Sequence, residues 1–333
     1  MPSQSPLTSI LTGMCLILCS GSSVADYDPF ALPATVKVRT RDVTVRDEAR
    51  SRSIPLRVYL PEVSRPAPVV LFSHGLGGTC KGSAYLGKHW SARGYVAVFM
   101  QHPGSDDSVW KDEPLPQRMA ALKKAVSLHN FVLRTGDVSA VLDQLDVWNK
   151  QKRHFLAGRI DMQRVGMSGH SFGAATTQAA SGQSYGFAGN KFTDKRIRAA
   201  IAMSPSSPRR GNPATAFVSV GIPWMLMAGT KDTAVFSKAD AASRLKVYPH
   251  LPAMIDKYEL VLHNAEHSAF SDRALPGDRE KRNPNHHRAI IALSTAFWDA
   301  HLRKDSAALA WLHGKAVTSV LEPEDHWQFQ SAK

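Results

Sequence analysis

A serine set between two glycines is where this 333-residue chain could do chemistry. Gly169-His170-Ser171-Phe172-Gly173 follows the run Arg164-Val165-Gly166-Met167-Ser168 and precedes Ala174-Ala175-Thr176-Thr177-Gln178-Ala179-Ala180. The pattern reads as strand, sharp turn, helix. A serine at the apex of such a turn projects its hydroxyl from the end of a sheet as an acyl-transfer nucleophile, on a strained backbone that needs glycine on both sides. A bulky residue at 169 or 173 would clash across the turn. The same five-residue pattern also occurs as an ordinary helix-capping turn. A nucleophile further requires a base, an orienting acid and oxyanion donors, which the rest of the chain must supply.

Each has a candidate. The apolar run Ala67-Pro68-Val69-Val70-Leu71-Phe72-Ser73 ends in His74-Gly75-Leu76-Gly77-Gly78, whose glycines let a backbone amide turn toward a reacting carbonyl. The N–H of Leu76 is the expected first oxyanion donor, and that of Phe172, just after the nucleophile, the second. Ile222 to Ala228 reads as a strand that ends at Gly229-Thr230-Lys231-Asp232, which puts a carboxylate just past a strand's carboxyl end. Its rivals Asp240 and Asp256 lie away from such an end. Lys257 to Leu262 reads as the next strand, followed by His263-Asn264-Ala265-Glu266-His267-Ser268. His267 is the expected base because it sits in the loop beyond the strand among small residues, whereas His263 still reads as strand. His286 and His287, at the start of the last helix, read as capping or surface residues, and His170 as packing under the turn, away from the hydroxyl. Ser171, Asp232 and His267 then form the catalytic set.

The elements that must position these groups alternate. Runs at 34–47 and 53–60 read as an antiparallel pair with polar outer faces. The strand at 67–73 is followed by a helix at 82–93, a strand at Tyr95–Met100 and mostly helix over 115–150, where Val138, Val141, Leu142, Leu145 and Trp148 recur at helical spacing. Ile197–Met203 is a strand after the nucleophile helix, and 286–303 is a last helix with Ile290, Leu293, Phe297 and Trp298 on one stripe. Strands alternating with helices predict an α/β fold, a mostly parallel central sheet with helices on both faces, whose ligands bind outside the carboxyl ends of the strands. Three loops should meet there: Gln101 to Trp110, Pro205 to Ala216 with Arg209 and Arg210, and Asp272 to Arg288. Trp110 is the expected wall of the pocket.

Net charge is +13, yet the lysines and arginines are scattered and no nucleic-acid motif accompanies them. The charge reads as a solvated surface, compatible with weak association with anionic surfaces. The first 25 residues contain no Lys, Arg, Asp or Glu; Ile10 to Ser20 is too short to span a bilayer, and Ser23-Val24-Ala25 offers a small-residue cleavage site. The expected organisation is a signal peptide at 1–25 and a single domain at 26–333 with a short C-terminal extension, exported to the periplasm or medium. Cleavage would leave Cys80 as the one cysteine, a small packing residue opening a helix.

The segments Leu71 to Gly78, Gly169 to Gly173, Gly229 to Asp232 and Glu266 to Ser268 resemble those of an α/β-hydrolase, with the chain order Ser…Asp…His. More narrowly, over residues 34–305, they resemble the platelet-activating-factor-acetylhydrolase-like group, whose bacterial members are called predicted dienelactone hydrolases. True dienelactone hydrolases use a cysteine nucleophile, whereas position 171 is serine. The resemblance implies hydrolysis of carboxylic esters, short-acyl or lipid-like, with polyester-degrading hydrolases among the relatives. The mechanism needs no metal or organic cofactor. Two other readings share the same residues: a lipid- or polymer-binding protein on a hydrolase scaffold, and an amidase or peptidase.

Overall fold

The computed structural model describes residues 27–34, 37–208, 212–234, 236, 239–275 and 277–333. The expected signal peptide at 1–25 lies outside them, as do Arg209 and Arg210. Among the described residues no helix is long and apolar enough to cross a membrane.

The strands are β1 (Val38–Asp47), β2 (Arg52–Pro61), β3 (Ala67–Ser73), β4 (Val96–Met100), β5 (Ile160–His170), β6 (Ile197–Met203), β7 (Trp224–Lys231), β8 (Lys257–Glu266) and β9 (His326–Gln330). They form one sheet in the order β1-β2-β4-β3-β5-β6-β7-β8-β9. From β4 to β8 every neighbour is parallel, while β1 on β2, β2 on β4 and β9 on β8 are antiparallel. The sequence explains this gradient. All seven residues of β3 and all five of β4 are buried, as strands covered on both faces must be. β1, at the edge, keeps most of its polar side chains in water.

Helices α1 (Ala84–Ala92), α2 (Leu115–Ala125), α3 (Leu128–Lys150), α4 (Phe172–Ala180), α5 (Pro213–Phe217), α6 (Ala241–Arg244), α7 (Pro284–Leu302) and α8 (Ser306–His313) connect and cover the sheet. Alternation along β3 divides the core. Val70 and Phe72 pack with Trp90 of α1 and Phe297 and Trp298 of α7. Val69 and Leu71 pack with Val138, Val141, Leu142 and Leu145 of α3 on the other face. Each such buried side chain contributes roughly 1.5–3 kcal/mol relative to exposure. The fold is therefore α/β, with a mostly parallel sheet between two helical layers.

The helical stretch expected over 115–150 breaks at Val126-Ser127. Ser127 caps α3, its Oγ accepting from Asn130 N at 3.1 Å. The long amphipathic stripe belongs to α3 alone, and within α2 only Ala125 is buried. Cys80 is buried in the core, its thiol raised to about 11 by burial, but it precedes α1 by four residues instead of opening it. The segment after α7 adds more than an extension. Trp311, Leu312, Val317 and Val320 enter the core, and β9 completes the sheet. His326–Gln330 carries no strong alternation, so its pairing depends on the exposed edge that β8 offers.

Candidate active site

Ser171 stands between β5 and α4 with φ 58° and ψ −115°, a conformation that L-residues occupy at a cost. Two glycines make it sterically open. A Cβ at Gly169 would lie 2.4 Å from Gly173 O, and one at Gly173 would lie 1.8 Å from Ser73 O. Both obstacles are backbone and cannot swing aside. Gly173→Ala should therefore destabilise the fold by about 3 kcal/mol or more, by forcing β3 and α4 apart. Urea denaturation reads this, and an unchanged midpoint would refute the close approach.

Asp232 follows β7 and His267 follows β8, and the parallel sheet delivers both to the Ser171 rim. His267 Nε2 lies 2.8 Å from Ser171 Oγ, and His267 Nδ1 lies 2.6 Å from Asp232 Oδ1. Asp232 is fully buried. Burial alone would raise its pKa, but the hydrogen bond and charge of His267 and the charge of Arg244 outweigh burial and hold it at about 2. The carboxylate is thus ionised across the ordinary pH range, with the His267 Nδ1 proton directed at it. The rivals have other tasks. Asp240 caps α6, and Asp256 accepts from Ala332 N just before β8. His263 remains in β8, its N–H donating to Asp325 Oδ1 at 2.8 Å.

His170 is buried with its ring centroid 4.7 Å from that of His267, so it packs beside the base. Burial, then the His267 and Arg244 charges, push it down to about 3, so it is neutral. His286 and His287 depart from the expected surface role. His286 is buried and bonds His263 O at 2.9 Å, and His287 stacks on Tyr85 at 3.8 Å. Both lie on the side of α7 that turns toward the protein, which the first turn of a helix read from sequence does not reveal.

The loop after β3 brings Leu76 to the same rim. Gly75 is close enough to Ser171 that a Cβ there would sit 3.4 Å from Ser171 Cβ. Among the described residues, neither Leu76 N–H nor Phe172 N–H has a hydrogen-bond acceptor. The loop is held by side chains that sequence reasoning missed. His74 Nε2 accepts from His102 N at 3.1 Å, so its proton sits on Nδ1, which donates to Gly75 O at 2.6 Å. Arg134 of α3 is fully buried. It donates to His74 O, to Ser73 Oγ at 2.9 Å, to Ser105 Oγ at 3.0 Å and to Thr176 Oγ1 at 3.1 Å. Its guanidinium carbon also lies 4.6 Å from the Phe172 ring centroid. Burial pushes Arg134 down to about 9. Behind it, Asp137 binds His102 at 2.9 Å and Arg52 at 2.6 Å. One arginine therefore touches both the end of β3 and helix α4, the segments that flank Leu76 and Phe172. A signal for it existed: Arg134 falls on the stripe of Val138, Val141 and Leu145, and a charge inside an apolar stripe must be paired or hydrogen-bonded.

A cavity of about 790 Å³ opens over Ser171, lined by Leu76, Phe172, His267 and Trp110 and by Met119, Leu122 and Val126 at the α2 side. Trp110 Nε1 donates to Gly77 O at 2.8 Å, so this residue of the cavity lining also braces the loop. The exposed wall of this ligand-sized cleft is mostly apolar, with Lys81, Asp107, Asp272 and Arg273 also lining it.

Comparison with known proteins agrees with this fold. A family model described as PET hydrolase-like (PETase) matches residues 121–276. Cutinase 1 of Thermobifida cellulosilytica is 27% identical over 227 residues, 65% of this chain and 72% of that protein. A cutinase of Thermobifida fusca (strain YX) is 27% identical over 227 residues, and the chain spans 63% of its length, a little under two thirds. The chain is an α/β-hydrolase, and by class a carboxylic ester hydrolase. These matches carry the superfamily, not the narrower acetylhydrolase-like group that the four sequence segments resemble.

Proposed function

We propose that the chain cleaves carboxylic esters by a two-step acyl transfer on Ser171, with Asp232 and His267 as its partners. The observation that carries this reading is the continuous contact from Ser171 Oγ through the His267 ring to Asp232. In the first step Ser171 Oγ attacks the ester carbonyl carbon while His267 Nε2 takes the hydroxyl proton. Asp232 holds the imidazole in the tautomer that can accept it and stabilises the cation that forms. The N–H groups of Leu76 and Phe172 receive the oxyanion, each worth about 2.7–4 kcal/mol in the transition state. His267 then gives its proton to the leaving alcohol. Water, deprotonated by the same imidazole, attacks the acyl-enzyme and releases the acid and the free serine. None of these steps calls on a metal or an organic cofactor.

The substrate is an ester with an apolar acyl or alcohol part. An opening of about 790 Å³ walled by Trp110, Met119, Leu122 and Val126 is larger than an acetyl group requires. Cutin- and polyester-type substrates, to which the relatives' names point, fall within this class, as do the lipid-like esters of the acetylhydrolase-like group. Export to the periplasm or medium, with residues 1–25 removed, would suit such substrates.

Fluorophosphonate labelling tests the reading. Stoichiometric modification at Ser171, together with turnover of p-nitrophenyl esters from acetate to octanoate, is the expected result. An unlabelled protein would be a binding module. A labelled protein that cleaves anilides but not esters would be an amidase or peptidase.

A further inference from the structure

Arg244 ends the short helix α6, only 2% exposed, and sits against the contact between Asp232 and His267. Its Nε lies 3.1 Å from Asp232 Oδ1, an ion pair, though Nε makes no aligned hydrogen bond there. Its Nη2 lies 3.5 Å from His267 Nδ1. Nδ1 already holds the proton it gives to Asp232 at 2.6 Å, so the approach of Nη2 sets donor against donor and attracts nothing. What fixes the guanidinium is elsewhere: Nη1 donates to Ser204 O at 2.9 Å and Pro205 O at 3.0 Å, just beyond β6. A cation is therefore clamped beside an imidazole that must itself become a cation.

We propose that Arg244 is a positioning residue for the Asp232–His267 pair, tying it to the end of β6 through the Ser204 and Pro205 carbonyls and setting a buried positive charge against the imidazolium that the reaction forms. The proposal rests on the reading of Ser171, His267 and Asp232 given above. The physical argument is Coulombic. Asp232 favours the imidazolium, and a buried guanidinium at contact distance opposes it, with little screening by salt. The other groups facing His267 do not supply this effect. His170 from β5 is neutral, Ser171 carries no charge, and on its own turn Ser268 is engaged by Asp278 at 2.5 Å and by Arg282 at 3.2 Å.

The test is the pH dependence of kcat/KM on two neutral p-nitrophenyl esters of different acyl length, for the parent, Arg244→Gln, Arg244→Met and Arg244→Lys. Removing the charge should move the acid limb to higher pH. That is a loss in kcat/KM on the acid side, equal for both esters. Arg244→Lys, which keeps the charge but cannot reach both carbonyls, should lower kcat and leave the limb in place. Coincident limbs for the parent and a neutral variant would overturn the proposal. So would a limb that rises in Arg244→Lys, or a shift for one ester only, which would mark a substrate contact. If neither neutral variant folds, Arg244→Lys still tests the anchoring: an unchanged kcat in that variant would overturn the proposal. Ser171→Ala is run alongside: turnover that survives there defeats the underlying reading, whereas a dead Ser171→Ala with unmoved Arg244 limbs defeats this proposal alone.

Discussion

Ser171→Ala should lose about 10⁶-fold in kcat, the scale on which a serine nucleophile acts when base and oxyanion donors remain in place. The geometry makes this a clean experiment. Alanine keeps the Cβ, so the strain at φ 58° is already present in the parent and does not grow. Among the described residues the Oγ has one side-chain hydrogen-bond partner, His267 at 2.8 Å. Stability by urea denaturation should match the parent within a few tenths of a kcal/mol, which separates lost chemistry from lost fold. Retained turnover at the parent rate would move the nucleophile elsewhere.

Asp232→Asn should lower kcat by about 10⁴-fold, because an amide in this place can stabilise the wrong tautomer of His267 and offers no charge to the imidazolium. The tertiary structure adds a second cost. Asp232 is the carboxylate against which the buried Arg244 guanidinium rests. Neutralising it leaves that cation without its partner, at about 3–5 kcal/mol when one side of a buried pair is removed. The variant should thus be both slow and less stable, with an earlier urea midpoint. Full activity would place the orienting acid at another residue. A kcat loss without any stability loss would mean that the Ser204 and Pro205 carbonyls alone suffice to hold Arg244.

The legibility of this protein differs from element to element. β3 and β4 were plain because strands buried on both faces must be apolar without interruption, and α3 because its stripe has helical period. The elbow was legible because its glycines are obligatory at fixed positions. The break at Val126-Ser127 was not, since both flanks are helix formers and the stop comes from a cap. β9 was not, because its strand state comes from pairing with β8. Arg134 left a trace as a charge on an apolar stripe. Arg244 left none, because nothing local to residues 241–244 says that a guanidinium will be tucked beneath an imidazole 23 positions further on.

By itself the chain's order of residues determined what has to be local: strand and helix periods, the strained serine turn, and a carboxylate and a histidine each placed just beyond a strand. Only the folded sheet decided which groups meet. Strand order sets β7 and β8 side by side and brings their ends to Ser171, across 35 residues between Asp232 and His267 and 96 between Ser171 and His267. The buried arginines that brace this meeting are likewise a tertiary decision. A charge can remain under a sheet only where carbonyls, hydroxyls or carboxylates from distant segments converge on it, and those partners exist only once the segments are packed.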